Sequence, residues 1–207
     1  MPSRELTVFI VDDDASVRDS LSLMLGLAGY RTALFADAEA LLFAWRTEWA
    51  GCVVADLRLP GRSGVELQAD LRSRGSTLPV VIITAHGDVP TARAAFQAEA
   101  VDFLEKPFDH VQLRAALDKA FAREERRLAG AQQRAADAAK LAALTPRERE
   151  VLDQAARGLH AKEIASALDI SPRTVEVHKT RIMEKLGVRN VAELVRFALA
   201  AARPEGE

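Results

Sequence analysis

Thr7-Val-Phe-Ile-Val-Asp-Asp-Asp14 and Gly51-Cys-Val-Val-Ala-Asp56 decide the fold of this chain. Each is a short apolar run that ends on acid. A strand with apolar residues on both of its faces is covered on both sides, which marks a parallel sheet. Working outward, Arg31-Thr-Ala-Leu-Phe35, Pro79-Val-Val-Ile-Ile83 and Val101-Asp-Phe-Leu104 also read as strands. Helical patterns near residues 15–29, 37–48, 64–75 and 88–98 alternate with them, and another begins at Asp109. In the first, Val17, Leu21, Met24, Leu25 and Ala28 recur at helical spacing. The order predicts a doubly wound α/β unit, (βα)5, with a parallel sheet and helices on both faces. Ligands in such folds bind at the carboxyl ends of the strands.

Beyond this unit, Arg123 to Ala143 reads REERRLAGAQQRAADAAKLAA, without a β-branched residue. Helix propensity is high, and Gly130 costs only about 1 kcal/mol, so the fifth helix should run on as a semi-rigid connector. Phe121, Leu128, Ala135 and Ala142 fall seven apart, but the positions between them are too poor for a coiled coil. Thr145-Pro-Arg-Glu148 is a complete capping box with proline at the first helical position. Ser171-Pro172 repeats the start, and Gly158 and Gly187 supply stops. Four short helices result, the middle pair joined by the turn Asp169-Ile-Ser-Pro. The expected division is residues 1–122 as a first domain, 123–142 as a helical linker and 143–207 as a small all-α helix-turn-helix domain.

The 207 residues are 49% hydrophobic and 28% charged, ordinary values for a globular protein. Only 5% are aromatic, so the core must be aliphatic. The single cysteine, Cys52, excludes an internal disulfide and sits in an apolar run as a small buried side chain. No apolar stretch approaches the roughly 18 residues that span a membrane, and the N-terminus runs into acid rather than a cleavage site. A cytoplasmic location, with no membrane partner, is expected. Net charge is -2, unevenly spread: 12 Lys and Arg face 17 Asp and Glu up to Ala122, and 16 face 13 from Arg123 onward. A mildly basic second part permits nucleic-acid binding without establishing it.

The chemistry gathers at the strand ends. Asp12, Asp13 and Asp14 follow the first strand and Asp56 the third, so a (βα)5 sheet brings them to one rim. Packed carboxylates repel one another unless a cation intervenes, and oxygen ligands at this density suit Mg2+. Thr84 ends the fourth strand and Lys106 follows the fifth. Metal, hydroxyl and ammonium together could hold the oxygens of a phosphoryl group on a carboxylate. An Asp triplet alone is more often a solvated turn with a helix cap; five polar residues at the correct ends of four strands are not so dismissed.

The strings VDDD (11–14), ADLRLPGRSG (55–64), ITAHGD (83–88) and DFLEKPFD (102–109) resemble the CheY-like receiver domain of two-component response regulators. The resemblance implies that Asp56 accepts phosphate from a sensor histidine kinase. It also implies a Mg2+ site of Asp12, Asp13, Asp56 and the backbone carbonyl of Arg58. Lys106 would pair with the phosphoryl oxygens, Thr84 would move to hydrogen-bond them, and Phe103 would rotate inward behind Thr84. Taken alone, Phe103 is as well explained as core.

In the C-terminal part, Val175, Ile182 and Leu186 mark one face of a helix at offsets 0, 7 and 11, and Val177, Thr180, Arg181 and Glu184 mark another. An outward valine suits a thymine methyl, while Lys179, Arg181 and Arg173 suit phosphates. An amphipathic helix with one stray exposed valine would give the same pattern. LTPREREVL (144–152), GLHAKEIASAL (158–168) and SPRTVEVHKTRIMEKLGVRN (171–190) closely resemble the FixJ/NarL/LuxR-type helix-turn-helix. That resemblance implies a recognition helix beginning near Arg173, with Arg173, Thr174, Val177, His178, Lys179, Thr180 and Arg181 at double-stranded DNA, and a last helix near residues 190–202 supporting dimerisation.

Together the two resemblances imply a transcriptional regulator switched by phosphorylation. They imply homodimerisation through a receiver face containing Val89, Ala92, Ala95, Phe103 and His110, with RNA polymerase a further candidate partner. Two other readings stand beside it: a Mg2+-dependent phosphatase or phosphotransferase, and a phosphate-independent DNA-binding protein with a degenerate receiver. The first lacks a visible general acid; the intact rim argues against the second. Three departures carry local expectations. His160 is a poor helix cap, Glu99 stands where a glycine is common, and Asp169 likewise replaces glycine but tolerates a left-handed backbone.

Overall fold

A computed structural model describes residues 6–85 and 99–201. The helix expected over residues 88–98, with Val89, Ala92 and Ala95, lies outside them. Five parallel strands form one sheet in the order β2-β1-β3-β4-β5: β1 Thr7–Val11, β2 Arg31–Phe35, β3 Gly51–Asp56, β4 Val80–Thr84 and β5 Asp102–Glu105. The doubly wound fold is therefore the one the strand pattern predicts. Between the strands lie α1 Ala15–Leu27, α2 Ala38–Ala44 and α3 Gly64–Ser73, and α4 His110–Ala142 follows β5.

Alternation along the strands fills two cores. Phe9, Val11, Val53, Ala55, Val80 and Ile82 point to one face, where they meet α2 and α3 through Leu41, Leu67 and Leu71. Val8, Ile10, Cys52, Val54, Val81 and Ile83 point to the other, against Leu21 and Leu25 of α1 and Leu113, Leu117 and Phe121 of α4. Each fully buried aliphatic side chain contributes about 1.5–3 kcal/mol of burial. The amino end of the sheet closes tightly. Gly51 has φ +146, and a Cβ there would stand 1.9 Å from the Thr7 carbonyl oxygen.

The chain divides into two compact units at Leu128/Ala129, six residues beyond the expected end of the first domain. Glu124 and Leu128 explain the shift. Glu124 is buried, its Oε1 accepts the Gly51 N–H at 3.4 Å, and its carboxylate accepts from Arg127 at 2.7 and 2.8 Å. Leu128 packs on the same core.

The second unit contains the end of α4 and α5 Pro146–Ala156, α6 Ala161–Leu168, α7 Pro172–Leu186 and α8 Val191–Ala201. Leu144, Val151, Ile164, Val175, Ile182, Leu186 and Leu194 form its core. Its caps are those the sequence predicts. The Thr145 hydroxyl accepts the Glu148 N–H at 3.3 Å while Glu148 accepts the Thr145 N–H at 2.8 Å. Ser171 caps α7, which stops at Gly187. His160 makes no side-chain cap, as expected, although Glu163 still accepts its N–H at 2.7 Å. Asp169 (φ 52) and Glu99 (φ 63) are left-handed, so both positions have the backbone that favours glycine. Among the described residues no helix is long and apolar enough to cross a membrane.

Candidate functional site: an acidic rim and an exposed helix

The register places Val11 beside Ala55, so Asp12 and Asp56 leave neighbouring strands one step later at the carboxyl end of the sheet. Chain order reverses here, because β1 leads outward to β2 whereas β3 leads the other way to β4 and β5. Such a switch point opens a crevice. Both carboxylates are buried, and they share one cation: the Lys106 ammonium lies 2.8 Å from Asp12 Oδ2 and 2.5 Å from Asp56 Oδ2. Partial burial disfavours the charged lysine, but hydrogen bonds to the two acids and their charges outweigh it and hold Lys106 above its usual range.

The Asp triplet divides its work. Asp12 turns into the crevice, with its Oδ1 accepting the Asp14 N–H at 3.0 Å and its carbonyl accepting from Arg18 at 2.6 Å. Asp13 is exposed at the rim. Asp14 caps α1, accepting the Ser16 hydroxyl at 2.6 Å and its N–H at 2.8 Å, bonds that hold its carboxyl below the usual range. The solvated-cap reading thus fits Asp14 alone.

The loop after Asp56 returns close to it. Arg58 donates its N–H to Asp56 Oδ1 at 2.7 Å and bridges to Ser63, and Gly64 begins α3 against the Asp56 carbonyl. A Cβ at Gly64 would stand 2.5 Å from that oxygen, so only glycine fits. Thr84 is buried at the end of β4, and its carbonyl accepts the Lys106 N–H at 2.7 Å. Phe103 lies on β5 opposite Ile82 and packs partly buried against the core shared with α3.

Asp12, Asp56, Thr84 and Lys106 are brought together as the sequence predicts, with Asp13 and Arg58 at the edge. Two buried carboxylates, Asp12 and Asp56, share the one Lys106 ammonium, with Asp13 exposed at the rim. Carboxylate oxygens of this kind fit a hard divalent cation such as Mg2+. Among the described residues no preassembled group of three metal-ligating side chains is present. Cys52 is inert: burial, with the Glu124 carboxylate nearby, pushes its thiol far up.

In the second unit, α7 exposes Arg173, Glu176, Val177, Thr180 and Arg181, with Thr174 and His178 half-buried. The outward position expected for Lys179 is corrected. Its side chain is only 9% exposed and its ammonium lies 3.2 Å from Glu176. The reason is periodicity: Val175, Lys179, Ile182 and Leu186 form one face at offsets 0, 4, 7 and 11, so the lysine stem completes the buried stripe. Thr174 Oγ1 meets the Ser171 hydroxyl at 2.8 Å, part of the cap of α7. Sequence reasoning passed over Glu176 and read Glu148 only as part of a helix cap. Glu148 is buried, and Lys185 at 2.6 Å with the Thr145 N–H pushes its carboxyl down to about 2.

Comparison with known proteins agrees with this geometry. Residues 8–118 match the response regulator receiver domain, and residues 142–198 match the luxR family of bacterial regulatory proteins. The transcriptional regulatory protein FixJ of Bradyrhizobium diazoefficiens is 44% identical over 195 residues, covering 94% of this chain and 95% of its own. Among solved structures, the response regulator StyR matches with TM-score 0.81 and 40% identity, covering 95% of this chain and 99% of its own. Full-length FixJ from B. japonicum matches with TM-score 0.59 and 42% identity, over 96% and 98%.

Proposed function

The chain belongs to the response regulators with a receiver domain and a luxR-type DNA-binding domain, a family of transcriptional regulators, and from that premise we propose that Asp56 is its phosphoacceptor and α7 its DNA-reading helix. The observation that carries the first half is the Lys106 ammonium shared by Asp12 and Asp56. Asp56 attacks the phosphoryl group of a phosphohistidine on a sensor kinase, and the histidine nitrogen leaves. Lys106 exchanges its bond to the Asp56 carboxylate for one to a phosphoryl oxygen, and the Thr84 hydroxyl takes another. Mg2+, held by Asp12, Asp13, Asp56 and the Arg58 carbonyl, would screen the charge of the incoming oxygens.

Arg173, Val177, Thr180 and Arg181 meet double-stranded DNA from the exposed side of α7, with Thr174 and His178 at its edge. The receiver acts through residues 110–142, a helix able to carry a change from Thr84 and Phe103 toward the second unit. The functional division is a receiver, a helical linker ending near Ala142, and an output domain from Ala143. Homodimerisation on phosphorylation suits a two-half-site operator, in the cytoplasm where RNA polymerase is at hand. The protein is a switch rather than an enzyme, in keeping with its relatives. Incubation with Mg2+ and acetyl phosphate tests the assignment: one phosphoryl group, labile to hydroxylamine, is expected on the wild type. Undiminished labelling of Asp56→Asn would overturn it.

A further inference from the structure

The exposed side of α7 carries an acid that a purely phosphate-binding face does not explain. Glu176 has a side chain 61% exposed and stands next to Val177, itself 45% exposed. A bare carboxylate there repels a DNA backbone. Two bonds fit it for a different task. The Lys179 ammonium, drawn inward, lies 3.2 Å from Glu176 Oε1 and offsets its charge without reaching the surface. One turn on, the Thr180 hydroxyl donates to the Glu176 carbonyl at 3.0 Å. The hydroxyl proton of Thr180 is therefore committed to the backbone, which leaves its oxygen, on an exposed residue, with accepting lone pairs only. The neighbouring side chains at 176, 177 and 180 thus offer acceptor, methyl, acceptor.

Hydrogen-bond donors are scarce in the major groove. Only the N4 amino group of cytosine and the N6 amino group of adenine supply them, whereas guanine and thymine present acceptors there. Adenine sets N7, an acceptor, beside its amino group, which repels the second oxygen of a carboxylate. Cytosine sets a C–H there. Resting on the reading of α7 as the DNA-contacting helix, we propose that Glu176 is a specificity-determining residue that accepts a hydrogen bond from a cytosine N4 amino group, beside the base pair touched by Val177. Its charge also excludes guanine and thymine at that position, a repulsive contribution to specificity.

Selection from a randomised duplex library by the full-length chain treated with acetyl phosphate tests this. The wild type should select cytosine at one position of each half-site, and replacing that base should weaken binding about 5- to 150-fold. Glu176→Gln, which keeps the size of the side chain, should move the preference there from cytosine to adenine, because an amide pairs with both N6 and N7. Glu176→Ala should level that position and leave the others unchanged. Retention of cytosine by both variants would overturn the proposal. So would uniformly tighter binding to every sequence with an unchanged selected site, since the acid would then act only as an electrostatic brake. A wild type that selects no sequence would instead overturn the DNA-binding reading itself.

Discussion

The two ends of the parallel sheet each bury acid against a cation, yet they differ in how the charges balance. At the amino end one carboxylate, Glu124, meets one guanidinium, Arg127, and takes the Gly51 N–H as well. Both carboxylate oxygens of Glu124 accept from a fixed internal donor. At the carboxyl end two buried carboxylates, Asp12 and Asp56, share the one ammonium of Lys106, with Asp13 exposed beside them. A balanced pair is closed and serves structure; an unbalanced rim retains charge that a divalent cation and a phosphoryl group can engage. If Asp56 is the phosphoacceptor proposed above, the difference separates a structural ion pair from a reactive one without appeal to how buried either is.

Substitution at the two ends can break this contrast. The largest effect is expected from Gly51→Ala, because the new Cβ would meet the backbone of Thr7 and not a movable side chain. A loss of about 3 kcal/mol or more is expected in urea unfolding, independent of Mg2+. Lys106→Met should follow, at about 2 kcal/mol; a fully buried pair would lose more, but Lys106 keeps 22% exposure. This loss should shrink in excess Mg2+, which replaces the missing cation by mass action. Glu124→Gln should cost about 1–2 kcal/mol, and Mg2+ should restore none of it. Equal Mg2+ responses in the two variants would erase the distinction between the ends.

The output unit supplies a smaller test of the same rule. Glu148, like Glu124, is a balanced acid, held by Lys185 and the Thr145 N–H. Its folded carboxyl lies near 2, below the ordinary glutamate value of about 4.3. A lowered carboxyl contributes stability that is complete above the unfolded value and is lost as pH falls from about 4.3 toward 2. Glu148→Gln should cost about 1 kcal/mol at neutral pH through the weakened cap and flatten that acid limb. Unfolding of the second unit followed from pH 7 to pH 2 reads both.

Most of the sheet was legible because short, nearly continuous apolar runs, two of them ending on acid, alternate with helical patterns and admit few alternatives. Thr7–Val11 and Arg31–Phe35 agree residue for residue with the strand pattern. Helix α2 stops four residues short of its expected end, where Trp45 turns to ψ 140 and the Arg46 guanidinium takes the carbonyls of Phe43, Ala44 and Trp45. Nothing in hydropathy announces such a cap. The rim was readable because four strand ends had to converge once the sheet was parallel. Lys179 and Glu124 escape the sequence reading for a shared reason: a charged residue reads as solvated. Both sit at core offsets, Lys179 four after Val175, and Glu124 three after Phe121 and four before Leu128. Spacing outweighs polarity when a long stem can bury and its head can find a partner.

The claim that phosphate on Asp56 governs DNA binding is tested most directly by titrating the full-length chain against its selected duplex, with and without acetyl phosphate and Mg2+. Phosphorylation should tighten wild-type binding about 5- to 150-fold, the range of ordinary coupling between sites, and Asp56→Asn should bind like the untreated wild type. Unchanged affinity in a stoichiometrically phosphorylated wild type, or an equal gain in Asp56→Asn, would contradict it.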